Sequence, residues 1–366
     1  CVLSLLLHNR WFRSGAACKS FVKVFDGSDH VPREAHRDDI DIAQSQATVG
    51  SSLVSVNYFY TRECNFECGF CFHTAKTSFE LSVDDAKRGL RLLRDAGMRK
   101  INFAGGEPLL PKYHQFLGEL IRYLKEELQV ESVSIVSNGS NLRKSRHWFD
   151  EYGKYIDILA ISCDSTDEAT NKLIGRASGG RGKQLEYLRE AKELCAKHAI
   201  NFKINTVVSS FTWREDMNAL IDELQPTRWK VFQVLILRDE NDGADGTKRD
   251  ATRFAVTDEQ FAAFCARHSH QPSFVPESNK AMQNSYLLLD ERMCFLDCSR
   301  GGKEPTQSIL KVGVERALAD AGFDESEFMH RGGVYDWTRS SSSPSSSCSS
   351  TTNVTDMEDL FHSQNK

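Results

Sequence analysis

A regular alternation of short apolar segments with longer amphipathic segments runs from residue 54 to residue 237. Segments that are apolar along their whole length are typical of strands buried on both faces, and such strands pair in parallel when helices alternate with them. The alternation repeats in six units of roughly 30–40 residues. A closed barrel of this kind needs eight units, so the pattern predicts an α/β fold with a partial (βα)6 TIM-like barrel.

The helix expected at 83–96 has the clearest limits, because Ser82 is a favoured N-cap residue and Gly97 stands just after its end. The other segments are assigned by periodicity alone. Strands are expected at 54–60, 100–104, 132–137, 156–162, 202–208 and 229–237, and further helices at 113–128, 144–152, 183–198, 214–224, 258–268 and 308–321.

Composition divides the chain into four parts. These are an N-terminal extension at 1–50, the barrel at 51–238, a C-terminal extension at 239–338 that closes the barrel mouth, and a Ser-rich tail at 339–366. A serine-rich tract has few apolar side chains to bury, so we expect the tail to be disordered and its Cys348 not to bind a metal.

The N-terminal residues and the cysteine content both bear on the cellular location of the protein. Residues 2–7 are an apolar stub followed by Arg10, Arg13 and Lys19, which fits equally the end of a membrane anchor or amphipathic helix and an arbitrary chain start. The 11 cysteines do not form a small disulfide framework, because the chain is too long, their number is odd and the tightest group has metal-ligand spacing. We therefore expect a cytoplasmic, reducing location and leave open an association with the cytosolic face of the endoplasmic reticulum.

Three cysteines follow the first predicted strand, and Cys64, Cys68 and Cys71 have the spacing C-x3-C-x2-C. Three thiolates on one loop can bind three irons of a [4Fe–4S] cube and leave the fourth iron open to a small molecule. His73 lies two residues further on, so a zinc site of the form C-x3-C-x2-C-x-H is the alternative. The spacing alone leaves both kinds of site open.

Small polar residues follow the next three predicted strands, where ligands of parallel βα folds collect. The second strand is followed by G-G-E-P at 105–108, whose glycines allow close backbone approach and whose Glu107 offers a carboxylate to a ligand ammonium. The third ends in S-N-G at 137–139 and the fourth in S-C-D-S at 162–165. Ordinary loop polarity and helix capping are the alternative explanation for the last two.

Cations also occur within the apolar strands, where a buried charge is costly unless it meets an anion. Lys203 and Asn205 alternate on one strand and so point to one face. Arg228 and Lys230 do the same on the last strand, and Lys100 begins the second. Four cations converging on one mouth fit a nucleoside triphosphate, with surface salt bridges as the alternative. The net charge of −5 argues against a nucleic-acid polymer as partner.

Whole segments are more specific than these spacings. They are C-N-F-E-C-G-F-C-F-H-T-A-K-T-S-F-E-L at 64–81, G-M-R-K-I-N-F-A-G-G-E-P at 97–108, I-S-C-D-S at 161–165, F-K-I-N-T-V at 202–207, T-R-W-K-V-F-Q at 227–233 and V-P-E-S-N at 275–279. Through them, over about residues 50–338, the chain resembles the viperin-like enzymes of the radical S-adenosylmethionine (SAM) superfamily.

The resemblance implies two cofactors, a [4Fe–4S] cluster held by Cys64, Cys68 and Cys71 and SAM bound at its open iron. The positions that match SAM contacts of the family are Gly105, Gly106, Glu107, Ser162 and Arg176. Arg176 would pair with a carboxylate, although its position would also allow it to cap a helix at 166–174.

The resemblance also implies a substrate. The family converts CTP, and in some members UTP, to the 3′-deoxy-3′,4′-didehydro nucleotide, a chain terminator with an antiviral role. A 5′-deoxyadenosyl radical removes the ribose 4′-hydrogen, and the 3′-hydroxyl then leaves. Carried over by residue, the triphosphate ligands would be Lys100, Lys203, Arg228 and Lys230, with Asn205 at the ribose or base.

Further roles follow from the same resemblance. Tyr286 would lie near the ribose as a hydrogen or proton donor, with a core aromatic as its alternative. The expected partners are the nucleotide, an electron donor and the iron–sulfur assembly machinery, with a membrane surface reached through the N-terminus left open. The family ends in an aromatic used for cluster delivery, whereas here Trp337 is followed by the Ser-rich tail. That difference places the family's loading route in doubt.

Two other functions remain compatible with the sequence. One is a different radical SAM reaction, on another nucleotide or on a peptide. The other is a non-enzymatic, zinc-stabilised interaction protein that acts at membranes.

Overall fold

The computed structural model describes residues 53–77, 79–177 and 183–339, all within the compact unit Val49–Lys366. The expectations for residues 1–50 and for the serine tract from residue 340 lie outside the described residues. In the described ranges, none of the helices is both long enough and apolar enough to cross a membrane.

The strands are short. They are β1 Ser55–Phe59, β2 Lys100–Ala104, β3 Ser132–Ser137, β4 Ile158–Ser162, β5 Asn201–Val208, β6 Arg228–Gln233, β7 Phe274–Glu277, β8 Leu288–Leu289, β9 Cys294–Asp297 and β10 Glu304–Ser308.

Helices separate the strands of the barrel. They are α1 Val83–Asp95, α2 His114–Glu126, α3 Arg146–Tyr152, α4 Glu168–Leu173, α5 Gln184–His198, α6 Asn218–Leu224, α7 Asp258–His268, α8 Asn279–Met282, α9 Ile309–Val312, α10 Val314–Ala319 and α11 Glu325–His330.

These strands form one sheet in the order β10-β9-β8-β1-β2-β3-β4-β5-β6-β7, in which β8 and β1 to β7 run parallel. The sheet is curled. The ring of Tyr335 lies 5.6 Å from Lys100 Nζ of β2 and 4.1 Å from the Arg228 guanidinium of β6. In a flat sheet, β2 and β6 would lie four strand spacings of about 4.8 Å apart, which is too far for one ring to contact side chains of both. Within the described residues β7 and β8 do not pair, so the barrel is open.

The two faces of the curled sheet carry different side chains. Outward-facing Ile101, Phe103 and Trp229 are fully buried in the main apolar core with the helices. Lys203 and Asn205 face inward from β5, where exposure alternates residue by residue. The interior of this barrel is therefore lined by polar groups, whereas its outer face is packed.

The predicted fold class is confirmed, and several elements have the expected limits. β2 and β3 start and end at the predicted residues. The Ser82 side chain accepts a hydrogen bond from Asp85 N at 3.1 Å and caps α1. Gly97 follows that helix with φ of +105°, a conformation that glycine adopts at little cost.

The C-terminal extension differs from the prediction. It supplies β7 to β10, which the sequence analysis does not predict, and β7 and β8 extend the parallel series at its two edges. The helix predicted at 308–321 begins within one residue of its expected start, because Ser308 is the N-cap of α9. It is interrupted at Gly313, whose φ of +79° separates α9 from α10.

Candidate active site

The predicted cysteines lie on the loop that leaves β1, hereafter the cysteine loop. Backbone hydrogen bonds from Glu67 N to Gly175 O (3.2 Å) and from Gly69 N to Ile174 O (3.1 Å) fasten this loop to the turn after α4. Gly175 has φ of +86°, and a Cβ there would lie 2.3 Å from Glu67 O. The close approach therefore requires glycine at residue 175.

All three cysteines are free thiols. Burial raises the pKa of Cys64 to about 12 and that of Cys68 to about 11. Two N–H groups approach Cys64 Sγ, the backbone N of Phe66 at 3.4 Å and Asn138 Nδ2 at 3.9 Å. Such donors stabilise a metal-bound thiolate, and binding of metal would release the thiol protons. Three sulfur ligands on one loop fit a cluster with one open iron.

His73 does not complete a zinc site. Its Nδ1 lies 3.2 Å from Lys303 Nζ, and its ring centroid is 4.5 Å from that of Phe59. Burial lowers the pKa of His73, and the Lys303 ammonium adds to this effect. A positive neighbour opposes a metal cation at the ring. Across the described ranges, no three His, Cys, Asp or Glu side chains are arranged to hold a single metal ion.

The glycine pair at the end of β2 brings that strand end against the start of the cysteine loop. Gly106 N donates to Thr61 O at 2.8 Å, and a Cβ on Gly106 would lie 1.8 Å from Glu63 O. Gly105 has φ of +126°, and its Cβ would lie 2.4 Å from Thr61 O. The segment can pass only with glycine at both positions.

Glu107 joins the ends of β2 and β3. Its Oε1 accepts hydrogen bonds from Ser137 Oγ (2.7 Å) and Leu109 N (2.9 Å), and its Oε2 accepts one from Asn138 N (2.7 Å). Burial raises the pKa of Glu107, although these donors oppose the rise. The carboxylate therefore shapes the strand ends through contacts within the chain, in addition to any ligand that it receives.

Ser162 ends β4, and Arg176 follows the turn after α4. The Arg176 Nε donates to the fully buried carboxylate of Asp164, and its guanidinium lies 5.5 Å from the ring centroid of Phe70 in the cysteine loop. Burial lowers the pKa of Arg176, but Asp164 and the Cys68 thiol raise it above its usual value. The Arg176 side chain thus pairs with a carboxylate beside the cysteine loop and does not serve as a helix cap.

The predicted cations gather at the starts of the strands. Lys100 and Arg228 are the first residues of β2 and β6, and Lys203 lies near the start of β5. The cysteine loop leaves the opposite end of the barrel, after the last residue of β1. Burial lowers the pKa of Lys100 to about 7, that of Lys230 to about 8, and that of Lys203 well below its usual range.

Glu277 of β7 contacts one of these cations and a further cation from the C-terminal extension. It pairs with Lys230, and Arg331 Nη1 lies 3.4 Å from its Oε1. The hydroxyl of Tyr286 donates to Glu277 and accepts from Lys230 Nζ at 2.7 Å. Tyr286 therefore makes two polar contacts through its hydroxyl, which an aromatic residue with a purely structural role in the core would not need. We call Lys100, Lys203, Arg228, Lys230 and Arg331 the cation cluster.

Three asparagines on the inward face lie between the strand starts and the cysteine loop. Asn102 Nδ2 donates to Asn57 Oδ1 at 3.1 Å, across β2 and β1. Asn205 Oδ1 and Arg228 Nε are buried and have no hydrogen-bond partner among the residues that the structure describes. Burying a polar atom without a partner costs about 1–3 kcal/mol, so these two atoms fit a polar ligand inside the barrel.

The segment after α11 covers the strand-start end of the barrel. Gly332 O accepts a hydrogen bond from Arg228 at 3.4 Å, and the buried ring of Trp337 lies 5.4 Å from Lys100 Nζ. A cavity of about 80 Å³ is lined by Lys203, Arg228 and Tyr335 among others. The cation cluster is thus enclosed by residues from the C-terminal extension.

Four polar residues of this interior are not among the site residues predicted from the sequence. Asn57 and Asn102 could have been found, because they interrupt apolar strands in the same way as Asn205 does. Glu277 lies in the V-P-E-S-N segment at 275–279, which is part of the resemblance but assigns no role to this residue. Arg331 has no local signal, since only the curled sheet brings the C-terminal extension against β6.

Comparisons with known proteins agree with this architecture. A family model described as the radical SAM superfamily matches residues 58–224. The chain is 53% identical over 298 residues to an "S-adenosylmethionine-dependent nucleotide dehydratase RSAD2" of Oncorhynchus mykiss, covering 81% of this chain and 83% of the relative. It is 55% identical over 285 residues to the protein of that name from Danio rerio, covering 78% of each. The structure of Streptococcus suis SuiB bound to SAM matches with a TM-score of 0.51 at 19% identity, over 76% of this chain and 67% of that one.

An open parallel βα barrel with three cysteines on the loop after its first strand defines the class of radical SAM enzymes, which use a [4Fe–4S] cluster together with SAM. The match to SuiB shows the fold alone. The relatives are specific, and the chain belongs to the viperin-like, SAM-dependent nucleotide dehydratase family of the radical SAM superfamily. The resemblance predicted from the sequence is thereby confirmed.

Proposed function

We propose that the protein is a radical SAM nucleotide dehydratase that converts CTP, with UTP as the alternative substrate, to the 3′-deoxy-3′,4′-didehydro nucleotide. The cation cluster is the observation that carries this proposal. Five cationic side chains lie together here, and Glu277 forms ion pairs with two of them, Lys230 and Arg331. Burial lowers the pKa of Lys100, Lys203 and Lys230, as expected where positive charges are crowded and shielded from water. A polyanion such as a triphosphate offsets that surplus charge through charge-assisted hydrogen bonds.

In the proposed complex the nucleotide lies along the barrel. Lys100, Lys203, Arg228 and Lys230 bind the triphosphate at the strand starts, and Asn205 contacts the ribose or base. The unpartnered Arg228 Nε and Asn205 Oδ1 would both gain partners. The ribose then points toward the strand ends, where the cysteine loop lies.

The cofactors occupy the other end of the barrel in this proposal. Cys64, Cys68 and Cys71 hold the cluster, and the SAM ligands are Gly105, Gly106, Glu107, Ser162 and Arg176. When bound, the cluster and SAM supply the 5′-deoxyadenosyl radical that removes the ribose 4′-hydrogen. The glycine pair lets backbone N–H and C=O groups approach SAM closely, and Arg176 keeps a positive charge beside the cysteine loop.

Tyr286 is the proposed proton donor. Loss of the 3′-hydroxyl as water requires one proton, and completion of the double bond requires one electron. The phenol of Tyr286 is held between Lys230 Nζ, which donates to it, and Glu277, which accepts from it. A proton given up by Tyr286 can be replaced from Lys230, so this pair can serve one turnover after another.

The remaining partners are an electron donor and the iron–sulfur assembly machinery. We propose a cytoplasmic location, because the eight cysteines in the described residues are free thiols, as in reducing compartments. We also propose that residues 1–50 associate the protein with the cytosolic face of the endoplasmic reticulum.

Anaerobic incubation of the reconstituted protein with SAM, a reductant and CTP, UTP or GTP tests the function. We expect 5′-deoxyadenosine and a pyrimidine nucleotide lighter by one water, identified by mass. A Lys203→Met variant should keep its iron and sulfide but lose nucleotide binding, because it removes a central cation. Formation of 5′-deoxyadenosine with a peptide or with GTP alone would contradict the proposal.

A further inference from the structure

A buried lysine from the C-terminal extension lies against the chain that follows the last cysteine. The side chain of Lys303 is only 3% exposed. Its Nζ donates to the carbonyl of Phe72 and lies 3.2 Å from Nδ1 of His73. The thiol of Cys71 donates to the carbonyl of His73 at 3.5 Å. The ammonium therefore contacts the two residues that directly follow Cys71.

Lys303 belongs to an ion network in which several cations share one carboxylate. Glu240 lies 3.5 Å from Lys303, 3.4 Å from Arg62 and 3.2 Å from Lys76, whose side chain is 32% exposed. Arg62 also lies 3.1 Å from Glu291. Lys303 is therefore buried and shares its counter-charge Glu240 with two other cations. Burial of a cation is costly unless it is well paired, so a further anion nearby would stabilise Lys303.

A [4Fe–4S] cube with three thiolate ligands is such an anion, and it becomes more negative by one charge when it is reduced. Burial lowers the pKa of Lys303 to about 8, so this side chain is mostly protonated at pH 7. A positive charge at this position stabilises the reduced form more than the oxidised form, and the effect is strong where water is excluded. Hydrogen bonds and charges around the ligands are known levers on cluster potential.

We infer that Lys303 is a positioning residue for the cluster, which fixes the chain after Cys71 and raises the reduction potential of the cluster. The inference rests on the proposed function, because it takes Cys71 as a cluster ligand. It assigns to the C-terminal extension a part in the electron transfer that starts the reaction, in addition to its cover over the barrel.

The test is a redox titration of the anaerobically reconstituted protein, with the reduced cluster followed by electron paramagnetic resonance. At the potential that half-reduces the parent cluster, the ratio of reduced to oxidised cluster in Lys303→Met should be about tenfold lower, equivalent to about 59 mV for one electron. Lys303→Arg keeps the charge and should titrate close to the parent. Glu240→Gln removes a negative charge from the same network and should shift the potential in the positive direction.

The reduction potential should shift in opposite directions in Lys303→Met and Glu240→Gln. Structural damage alone would not give shifts of opposite sign that follow the sign of the charge removed. An unchanged potential in a fully loaded Lys303→Met variant would overturn the inference. If that variant does not load, an unchanged or more negative potential in Glu240→Gln would overturn it. A parent protein without stoichiometric iron and sulfide would instead overturn the proposed function.

Discussion

At the scale of single residues, the unusual feature is positive charge buried beside positive charge. Burial and neighbouring cations lower the pKa of Lys100, Lys203 and Lys230. A lysine in this position loses its proton more readily than one in water, and a bound anion restores the proton. Protonation and nucleotide binding are therefore linked in the proposed complex.

CTP binding should take up protons at about pH 8, since Lys100 with a pKa of about 7 and Lys230 with a pKa of about 8 are partly neutral there. Affinity should rise as pH falls from about 9 to about 7, because the triphosphate binds the protonated amines. Calorimetry in buffers of different ionisation enthalpy measures the uptake. Lys100→Met should reduce it, and exposed Lys112→Met should not. Binding without net proton uptake would contradict this linkage.

The same pKa values bear on the stability of the protein without nucleotide. The unfolded chain binds a proton on Lys100 up to a pKa of about 10.4, whereas the folded chain releases it near 7. The free energy of unfolding therefore increases as pH rises from about 7 to about 10.4, because the unfolded chain binds more protons on Lys100 than the folded chain over this range. Below about pH 7 this gain is absent.

At the scale of elements, the cysteine loop depends on the turns packed against it. The turn after α4 meets it through Gly175, and the end of β2 meets it through Gly106. Neither contact leaves room for a Cβ. The loop that would hold the cluster is thus positioned by backbone contact from two neighbouring βα units.

Gly175→Ala should reduce the iron and sulfide content after anaerobic reconstitution. Its Cβ would lie 2.3 Å from Glu67 O and 2.9 Å from Cys68 Cα, so the loop must shift. Gly246→Ala is the matched control, because its φ is +88° and nothing lies within 4 Å of its Cβ. Both substitutions carry a backbone cost of about 1–2 kcal/mol. Equal cluster content in the two variants would show that the close contact is unimportant.

The elements differ in how well the sequence predicts them. β2 and β3 are apolar along their length and flanked by clear turns, and their limits are predicted correctly. β7 and β8 have four and two residues, too few for a periodicity to show, and their pairing depends on a barrel edge that already exists. Gly313, not a change in periodicity, divides α9 from α10.

At the scale of the whole molecule, the site joins residues far apart in sequence. The strand-end motifs are predictable because each follows its own strand. Lys303 and His73, which are in contact, are separated by 230 residues in the sequence, and no local sequence pattern predicts their contact. The predicted strand limits already put Lys100, Lys203 and Arg228 at or next to strand starts. Their convergence follows from register and from the curl of the sheet, which the strand sequences do not reveal.

Trp337→Ala should destabilise the protein by about 3 kcal/mol, because it removes a large side chain that is 4% exposed at the covered end of the barrel. It should also weaken CTP binding, since the ring packs near Lys100. Urea denaturation and calorimetry measure the two effects. Met329→Ala, at 52% exposure, is the control and should be nearly neutral. Unchanged stability of Trp337→Ala would contradict a packed cover.

Because the cation cluster and the cysteine loop lie at opposite ends of the barrel, the length of the strands sets the distance between them. β2 runs from Lys100 to Ala104, a rise of about 13 Å. With the terminal phosphate fixed at one end, the number of phosphates sets how deep the sugar reaches toward the radical source at the other. In the proposed binding mode, a diphosphate or monophosphate would leave the sugar short of it. Selection for triphosphates is then a property of barrel height, which no single contact to the ribose could supply.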